Sequence, residues 1–437
     1  MSAVNFYKSL AGNKRELVQG CVIFTLLFPL FFQLQGSIFT DKGMNFDSGG
    51  ILTRLPLPLS SLTCFIGLAF LVRYREATRS VSFIFALFML MLLSTFATSS
   101  QDEGDMLSKL ILMVQTILPV FALALGQSYE KPDNVYLRFQ AIFLYVLILV
   151  VPIEVIITLM SGKGLLSPSL YFFSIYQHLQ YVPVIFVGVY FLALSGLNKK
   201  KILGWLAVFL APFMGLYAAA SLSILAISLG FFSSIVLLFL CYKSRPCSYV
   251  LASVLVFIFS LGASYSVVKS SGTFKKKFGL LAEDIGLSSS ENLHALQEIK
   301  VKSNIGQRLE YWRFYLDESL QGPKEFVLGH SKRPDRNSVP SAHNYYLDLL
   351  YNFGFVVVIP FLYLIVFTLR RLYFCYKKGG IEGGFWWLAS ITLFFVLIDN
   401  SFKVGLRQPY PGIVMFFLWG VLLSFTSKFL LPDYKKT

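Results

Sequence analysis

Long apolar runs alternate with short polar connections along nearly the whole chain. Several approach the roughly 20 residues that a helix needs to span a bilayer. Runs centred near Leu26, Ile66, Met89, Ile117, Leu147, Phe186, Leu210, Leu229, Val256, Ile359, Thr392 and Leu418 predict about twelve spanning helices. One stretch interrupts the pattern. From Ser303 to Gly354 the chain is polar, carries His330 and His343, and runs directly into the tenth apolar run. Inside it, the spacing from Gly306 to Leu320 predicts an amphipathic helix, with Leu309, Trp312 and Leu316 near one face and Arg308, Glu310 and Arg313 around the rest. Gly322-Pro323 ends that helix. Asn344 and Asp348 lie four apart and share a face at the top of the tenth span, which His343 opens.

Composition moves the chain further from the soluble class. Of its 437 residues, 56% are hydrophobic and only 14% charged, and Phe alone occurs 44 times. A soluble domain carries about 25% charged residues. The expectation is an all-α polytopic integral membrane protein. The net charge of +15 does not call for nucleic acid, because the Lys and Arg residues sit mostly in short connections between apolar runs.

Those charges set an orientation. Lys14 and Arg15, Arg73 to Arg79, Lys131 and Arg138, Lys199 to Lys201, Lys243 and Arg245, Arg370 to Lys378, and Lys435 and Lys436 fall in one set of connections. The alternate set is poor in basic residues in its short loops. The positive-inside rule assigns the first set, and both termini, to the cytoplasm. Lys403 and Arg407 run against it. The expected organisation is spans one to nine in 1–268, one large loop on the far side in 269–342, and spans ten to twelve in 343–437. The run from Val18 to Leu34 has no small-residue cleavage site after it and is read as a retained first helix. No CxxC pair occurs among the five cysteines, so no structural zinc is expected.

Ionisable residues gather at the outer ends of the predicted spans: Arg54, Glu154, His178, Arg308, His343, Asp348, Asp399, Lys403 and Arg407. A charge in hydrocarbon is costly and ordinarily faces a wet cavity or a partner. Blander readings stand beside this one. Glu154 can be solvated among headgroups, Arg54, Lys403 and Arg407 can snorkel, and Asp399 can cap a turn. His178 suits an interfacial hydrogen-bonding residue, His294 a solvated one, and His330 a turn after Gly329. His343 differs, because it stands beside Asn344 at the mouth of a span, where a neutral imidazole can take a proton near pH 7. The chain lacks GxxxxGK[ST], a GxSxG elbow and, in the polar loop, a DxD cluster. A sugar donor would therefore arrive in a form other than a metal-bound nucleotide, and a lipid-linked one fits.

These residues resemble the bacterial O-antigen polymerase and O-antigen ligase family. Gly306-Gln-Arg-Leu-Glu-Tyr-Trp312 is similar to its G-x-R-x-x-x-W element, and Gly329-His330 to its glycine turn. The stretch from His343 to Leu350 followed by Gly354 is similar to its H-N-x-x-L-x-x-L…G signature. Asp399-Asn400, the Gln177-His178-Leu-Gln-Tyr181 stretch and Leu406-Arg-Gln-Pro-Tyr410 resemble polymerase members. The resemblance implies a GT-C-like, metal-independent glycosyltransferase without cofactor, in the bacterial inner membrane, with its active site facing the periplasm. The donor would be a glycan on undecaprenyl diphosphate. The acceptor would be another lipid-linked repeat unit for a polymerase, or lipid A-core for a ligase. A chain-length regulator protein is the further implied partner. Arg308 would bind the diphosphate and His343 would serve the acceptor hydroxyl. Asn344, Asp348, Arg407, Lys403, His178, Trp312 and Tyr311 would line the substrate site.

One element departs from the family. Where members carry Arg after Ser in a mid-chain helix, this chain reads Ala219-Ala-Ser-Leu-Ser223. Arg407 or Lys403 would then have to supply the second cation. Polymerase is the first expectation, ligase the second, and a lipid-oligosaccharide flippase the third. A transporter should instead show polar residues near the midplane of paired, interrupted helices. The orientation has a direct check. With the five native cysteines replaced, an impermeant thiol reagent added to whole cells should label Gln307→Cys and leave Lys200→Cys dark; the reverse overturns the orientation.

Overall fold

The computed structural model describes residues 56–73, 78–98, 103–128, 132–160, 182–197, 201–243, 248–269, 304–332, 334, 341–379 and 383–430. The expected span around Leu26, and Arg54, His178 and His294, lie outside the described residues. Every other expected centre, from Ile66 to Leu418, falls within a helix. Among the described residues there is no strand. The helices, in chain order, are α1 Pro56–Arg73, α2 Thr78–Thr98, α3 Glu103–Ile117, α4 Phe121–Gln127, α5 Pro132–Met160, α6 Val182–Leu194, α7 Lys201–Ala220 and α8 Ile224–Lys243. They continue with α9 Ser248–Lys269, α10 Asn304–Ser319, α11 Pro323–Leu328, α12 Tyr345–Phe353, α13 Phe355–Lys378, α14 Gly383–Leu393 and α15 Pro409–Phe429.

Among the described residues, five stretches are long and apolar enough to cross a membrane: Ser80–Thr98, Met106–Gln127, Ile202–Ala220, Phe355–Lys378 and Gly384–Ser401. Further apolar stretches lie in α5, α6, α8, α9 and α15. The chain is thus a helical membrane protein. Met106–Gln127 is one span built from α3, a 3₁₀ turn at Leu118–Val120 and α4. Pro119 sits in that turn, where its missing N–H and fixed φ are tolerated.

Contacts divide the chain into two compact units, Met1–Thr63 with Tyr129–Leu261, and Cys64–Ser128 with Gly262–Thr437. In the first, an aromatic core joins α6, α7 and α9. Phe186 stacks on Tyr217 at 5.4 Å, Phe191 meets Phe257 edge-on at 5.1 Å, and the Tyr190 hydroxyl donates to Ala207 O at 3.2 Å. The Ala219–Ser223 stretch is the buried end of α7 and the turn Ser221–Ser223 that leads into α8. Leu222 has φ +51° there, and Ser221 Oγ donates to Ala218 O at 2.7 Å.

The second unit is centred on α13 and α15. Phe361 of α13 meets Phe83 of α2 at 5.3 Å and Tyr345 of α12 at 5.4 Å. The fully buried Trp419 of α15 donates its indole N–H to Thr368 Oγ1 of α13 at 2.8 Å. α4 and α15 approach backbone to backbone: a Cβ at Gly126 would stand 2.9 Å from Val421 N. Small residues at such crossings let helices in lipid gain dispersion contact.

The structure corrects one expectation in this unit. The tenth span does not start at His343. α12 is a separate short helix, and the apolar span starts at Phe355 after a break at Gly354. Gly354 has φ +79°, a region that an L side chain enters only at a cost. It also lies against the backbone of Val327 and Leu328, so a Cβ there has no room. Gly379 ends α13 with φ +64°, but among the described residues no heavy atom lies within 4 Å of where a Cβ would stand. Gly379→Ala should carry only the backbone strain, about 1–3 kcal/mol. Gly354→Ala should cost clearly more, because backbone must move as well. Melting midpoints in detergent compare the two; equal losses would overturn the tight approach of α12 to α11.

Candidate functional site

α10 presents a polar stripe inward. Arg308, Trp312, Tyr315 and Ser319 recur at intervals of three and four, the spacing of one helix face. Tyr315 and Ser319 are buried. Leu309 and Leu316, read from the sequence as flanking Trp312 on an apolar face, are 55% and 40% exposed. Hydropathy alone predicted the opposite orientation. What covers α10 is α12 and the 399–407 segment, and these offer partners to Arg and Tyr that leucine cannot use.

The 399–407 segment is where the chain leaves its span. A π turn over Phe394–Ile398 gives way to 3₁₀ turns at Asp399–Ser401 and Gly405–Arg407. Freed backbone groups must find partners when buried. Asn400, fully buried, supplies them: Nδ2 donates to Phe395 O at 2.7 Å, and Oδ1 accepts from Leu406 N at 2.8 Å. Tyr346 of α12 donates its hydroxyl to Val396 O at 2.7 Å, within the π turn.

Two ion pairs are held here. Asp399 and Lys403 meet at 2.7 Å with side chains 0% and 3% exposed. Lys403 is therefore not a snorkelling anchor; burial pulls its ammonium below the usual lysine range while Asp399 pushes the other way. Arg407 pairs with Asp348 of α12. Arg308 donates from Nη1 to Phe402 O at 2.8 Å, and its charge acts on both Asp399 and Lys403. Trp312, one turn along α10, packs on the Phe402 ring at 5.5 Å. Tyr311 is half-buried beside it. Of the five charged residues Arg308, Asp348, Asp399, Lys403 and Arg407, three are cations and two carboxylates.

α12 begins at Asn344. Its Oδ1 accepts from Tyr346 N at 3.0 Å and Leu347 N at 3.2 Å, an N-cap, and Asp348 follows in the first turn. That oxygen is committed to backbone. His343 precedes the cap with φ +46°, and its N–H donates to Ser341 Oγ at 3.2 Å. A non-glycine residue in this region is strained and persists only where its surroundings impose it. Burial, with the Asp348 charge adding, pushes the Tyr315 hydroxyl above its usual range. Tyr345 and Tyr346 are raised by burial too, and Tyr351 is pushed up to about 12 by burial and then by Glu318. All four are protonated donors at neutral pH. On α10 and at the start of α12, Trp312 Nε1 and the Tyr345 hydroxyl are buried donors with no hydrogen-bond partner among the described residues.

The structure thus gathers Arg308, Tyr311 and Trp312 on α10, His343, Asn344 and Asp348 at the start of α12, and Lys403 and Arg407 from the 399–407 segment, all in the second unit. Glu154 belongs to α5 in the first unit. Lys109, which the sequence reading passed over, is a buried cation of the second unit. Its signal was present, a lysine four residues into the apolar stretch that begins at Met106. Among the described residues, no group of three or more His, Cys, Asp or Glu is placed to hold a metal ion. No protein-family model and no curated protein matches the chain.

The buried pair has a clear energetic signature. Lys403→Met strands Asp399 in an apolar setting, which should cost about 3–5 kcal/mol. The double variant Asp399→Asn/Lys403→Met should regain most of that loss. Unfolding in detergent measures both, and a single variant as stable as the parent would overturn the burial of the pair.

Proposed function

We propose that this protein is a membrane glycosyltransferase of the O-antigen polymerase type. It transfers an undecaprenyl-diphosphate-linked glycan onto another lipid-linked repeat unit at the periplasmic leaflet of the bacterial inner membrane. The observation that carries the reading is the meeting of α10, the start of α12 and the 399–407 segment around the buried Asp399–Lys403 pair, the part-buried Asp348–Arg407 pair and Arg308. Those are the same three segments whose motifs resemble the family.

The chemistry is a displacement at the anomeric carbon. The acceptor hydroxyl oxygen forms a bond to that carbon, and the carbon's bond to the phosphate oxygen breaks. Undecaprenyl diphosphate leaves with the bonding electrons, and the hydroxyl proton passes to His343. The anomeric carbon is inverted. Charge builds on the diphosphate, and cations held in place stabilise it without reorganising. Arg308 suits this role, since a guanidinium meets phosphate oxygens in pairs. Arg407 is oriented by Asp348, and Lys403 by Asp399. Trp312 offers an indole N–H as a further donor.

Deleting the gene and resolving lipopolysaccharide on a gel tests the activity. Core capped with a single repeat unit is the expected result. Bare core with accumulated lipid-linked polymer would make the protein a ligase instead, and an unchanged ladder would overturn both. At normal protein levels, His343→Gln should lose about 10²–10⁴-fold in rate, the usual worth of a general base. Arg308→Lys should lose much of the activity although it keeps the charge. Robust long-chain product from His343→Gln would remove the general-base role.

A further inference from the structure

Lys109 lies on α3 inside the apolar span Met106–Gln127 and is only 4% exposed. Its ammonium donates to Thr98 Oγ1 of α2 and, at 3.0 Å, to His330 O. It stands 5.6 Å from the centre of the Phe353 ring. Among the described residues no carboxylate pairs with it. A buried cation without a counter-ion opposes folding, and methionine would fill the same space at lower cost. What the charge does supply is a strong bond to a carbonyl.

That carbonyl belongs to a turn tied from both sides. Ser94 of α2 donates its hydroxyl to Leu328 O at 2.6 Å, at the end of α11. Thr98, one turn on, donates back to Ser94 O at 2.7 Å, so the two hydroxyls and Lys109 line one edge of α2 and α3. Across the turn, His330 N donates to Tyr351 O at 2.8 Å, and the two rings stack at 4.2 Å. Tyr351 sits three residues after Asp348 on α12 and meets Tyr315 of α10 at 5.0 Å. An unbroken series of bonds and packed rings therefore runs from Lys109 through His330 and Tyr351 to the helix that carries Asp348 and the helix that carries Arg308.

We propose that Lys109 is a positioning residue that latches the α11–His330 turn, and through it α12, into the place where the candidate site is assembled. The latch itself stands on geometry alone; only its consequence for activity rests on the glycosyltransferase reading. A residue that merely stabilised the fold would lower the melting temperature when lost. A latch made from a costly buried charge predicts a different pattern: the fold is kept while the turn loosens.

The experiment uses the full-length protein, purified in detergent, with hydrogen exchange read at the amides of Phe326, Gly329 and His330, which are bonded to Gly322 O, Glu325 O and Tyr351 O. Lys109→Met should melt at or above the parent temperature, yet these amides should exchange at least tenfold faster, and polymer length in cells should fall. Lys109→Arg, which retains a cation and its donors, should restore slow exchange and part of the polymer. Should Lys109→Met fail to fold, Ser94→Ala removes the neighbouring tie without touching a charge, and it should accelerate the same amides by a few-fold. Parent-like exchange in Lys109→Met, or in Ser94→Ala if that variant is needed, overturns the latch whatever the protein's activity. Faster exchange with full-length polymer overturns the positioning role. If the gene deletion leaves the lipopolysaccharide ladder unchanged, the glycosyltransferase reading falls, and the exchange result still decides the latch.

Discussion

A charge or a broken backbone bond inside an apolar helix assembly must bring its partner with it, because no water is there to solvate it. The second unit is arranged around that constraint. Lys403 is buried only because Asp399 lies one turn before it, and the part-buried Arg407 is met by Asp348 on another helix. The carbonyls and amides released where α14 loosens into π and 3₁₀ turns are taken up by Asn400 and Tyr346. Asp348 and Tyr346 come from α12, and the Phe402 carbonyl takes Arg308 from α10. Satisfying the constraint therefore also brings together α10, α12 and the 399–407 segment.

The same constraint explains the short helices. α11 and α12 are too brief to stand as isolated helices in water. They persist because their ends are capped: α12 by the Asn344 side chain, and α11 by Ser94 on its last carbonyl. Gly354, with its positive φ, makes the break between α12 and the long α13. His343 has no such freedom, and its positive φ is imposed by the cap and by Ser341. Strain of this kind is worth about 1–3 kcal/mol and is commonly stored where a side chain must be aimed. That fits a residue asked to accept a proton from a substrate hydroxyl.

For the proposed reaction, the two ion pairs give cations of fixed orientation. Lys403 and Arg407 cannot swing, so the substrate diphosphate would meet charges that are already placed. Arg308, bonded to the Phe402 carbonyl, has its guanidinium held the same way. The second cation that the mid-chain stretch at Ser221 does not supply has two candidates here, and both are positioned by carboxylates.

Much of this was legible in the sequence. Run length and composition determined the helical membrane class, since nothing but a helix satisfies its own backbone over such apolar lengths. The interrupting polar stretch marked the region of Arg308, Trp312 and His343, and the Asn344 and Asp348 spacing anticipated a helix start. Which face of α10 turns inward was decided by tertiary structure, because hydropathy ranks Leu309 and Leu316 above Arg308 and ignores what covers the helix. The division of the tenth span at Gly354 depends on how α11 lies against it, and one glycine between two apolar stretches does not announce that. The pairing of Arg407 with Asp348, 59 positions apart, and of Lys109 with the His330 carbonyl, 221 apart, has no local signature at all. Periodicity records which side of a helix is apolar; only the crossing of helices decides which buried charge meets which partner.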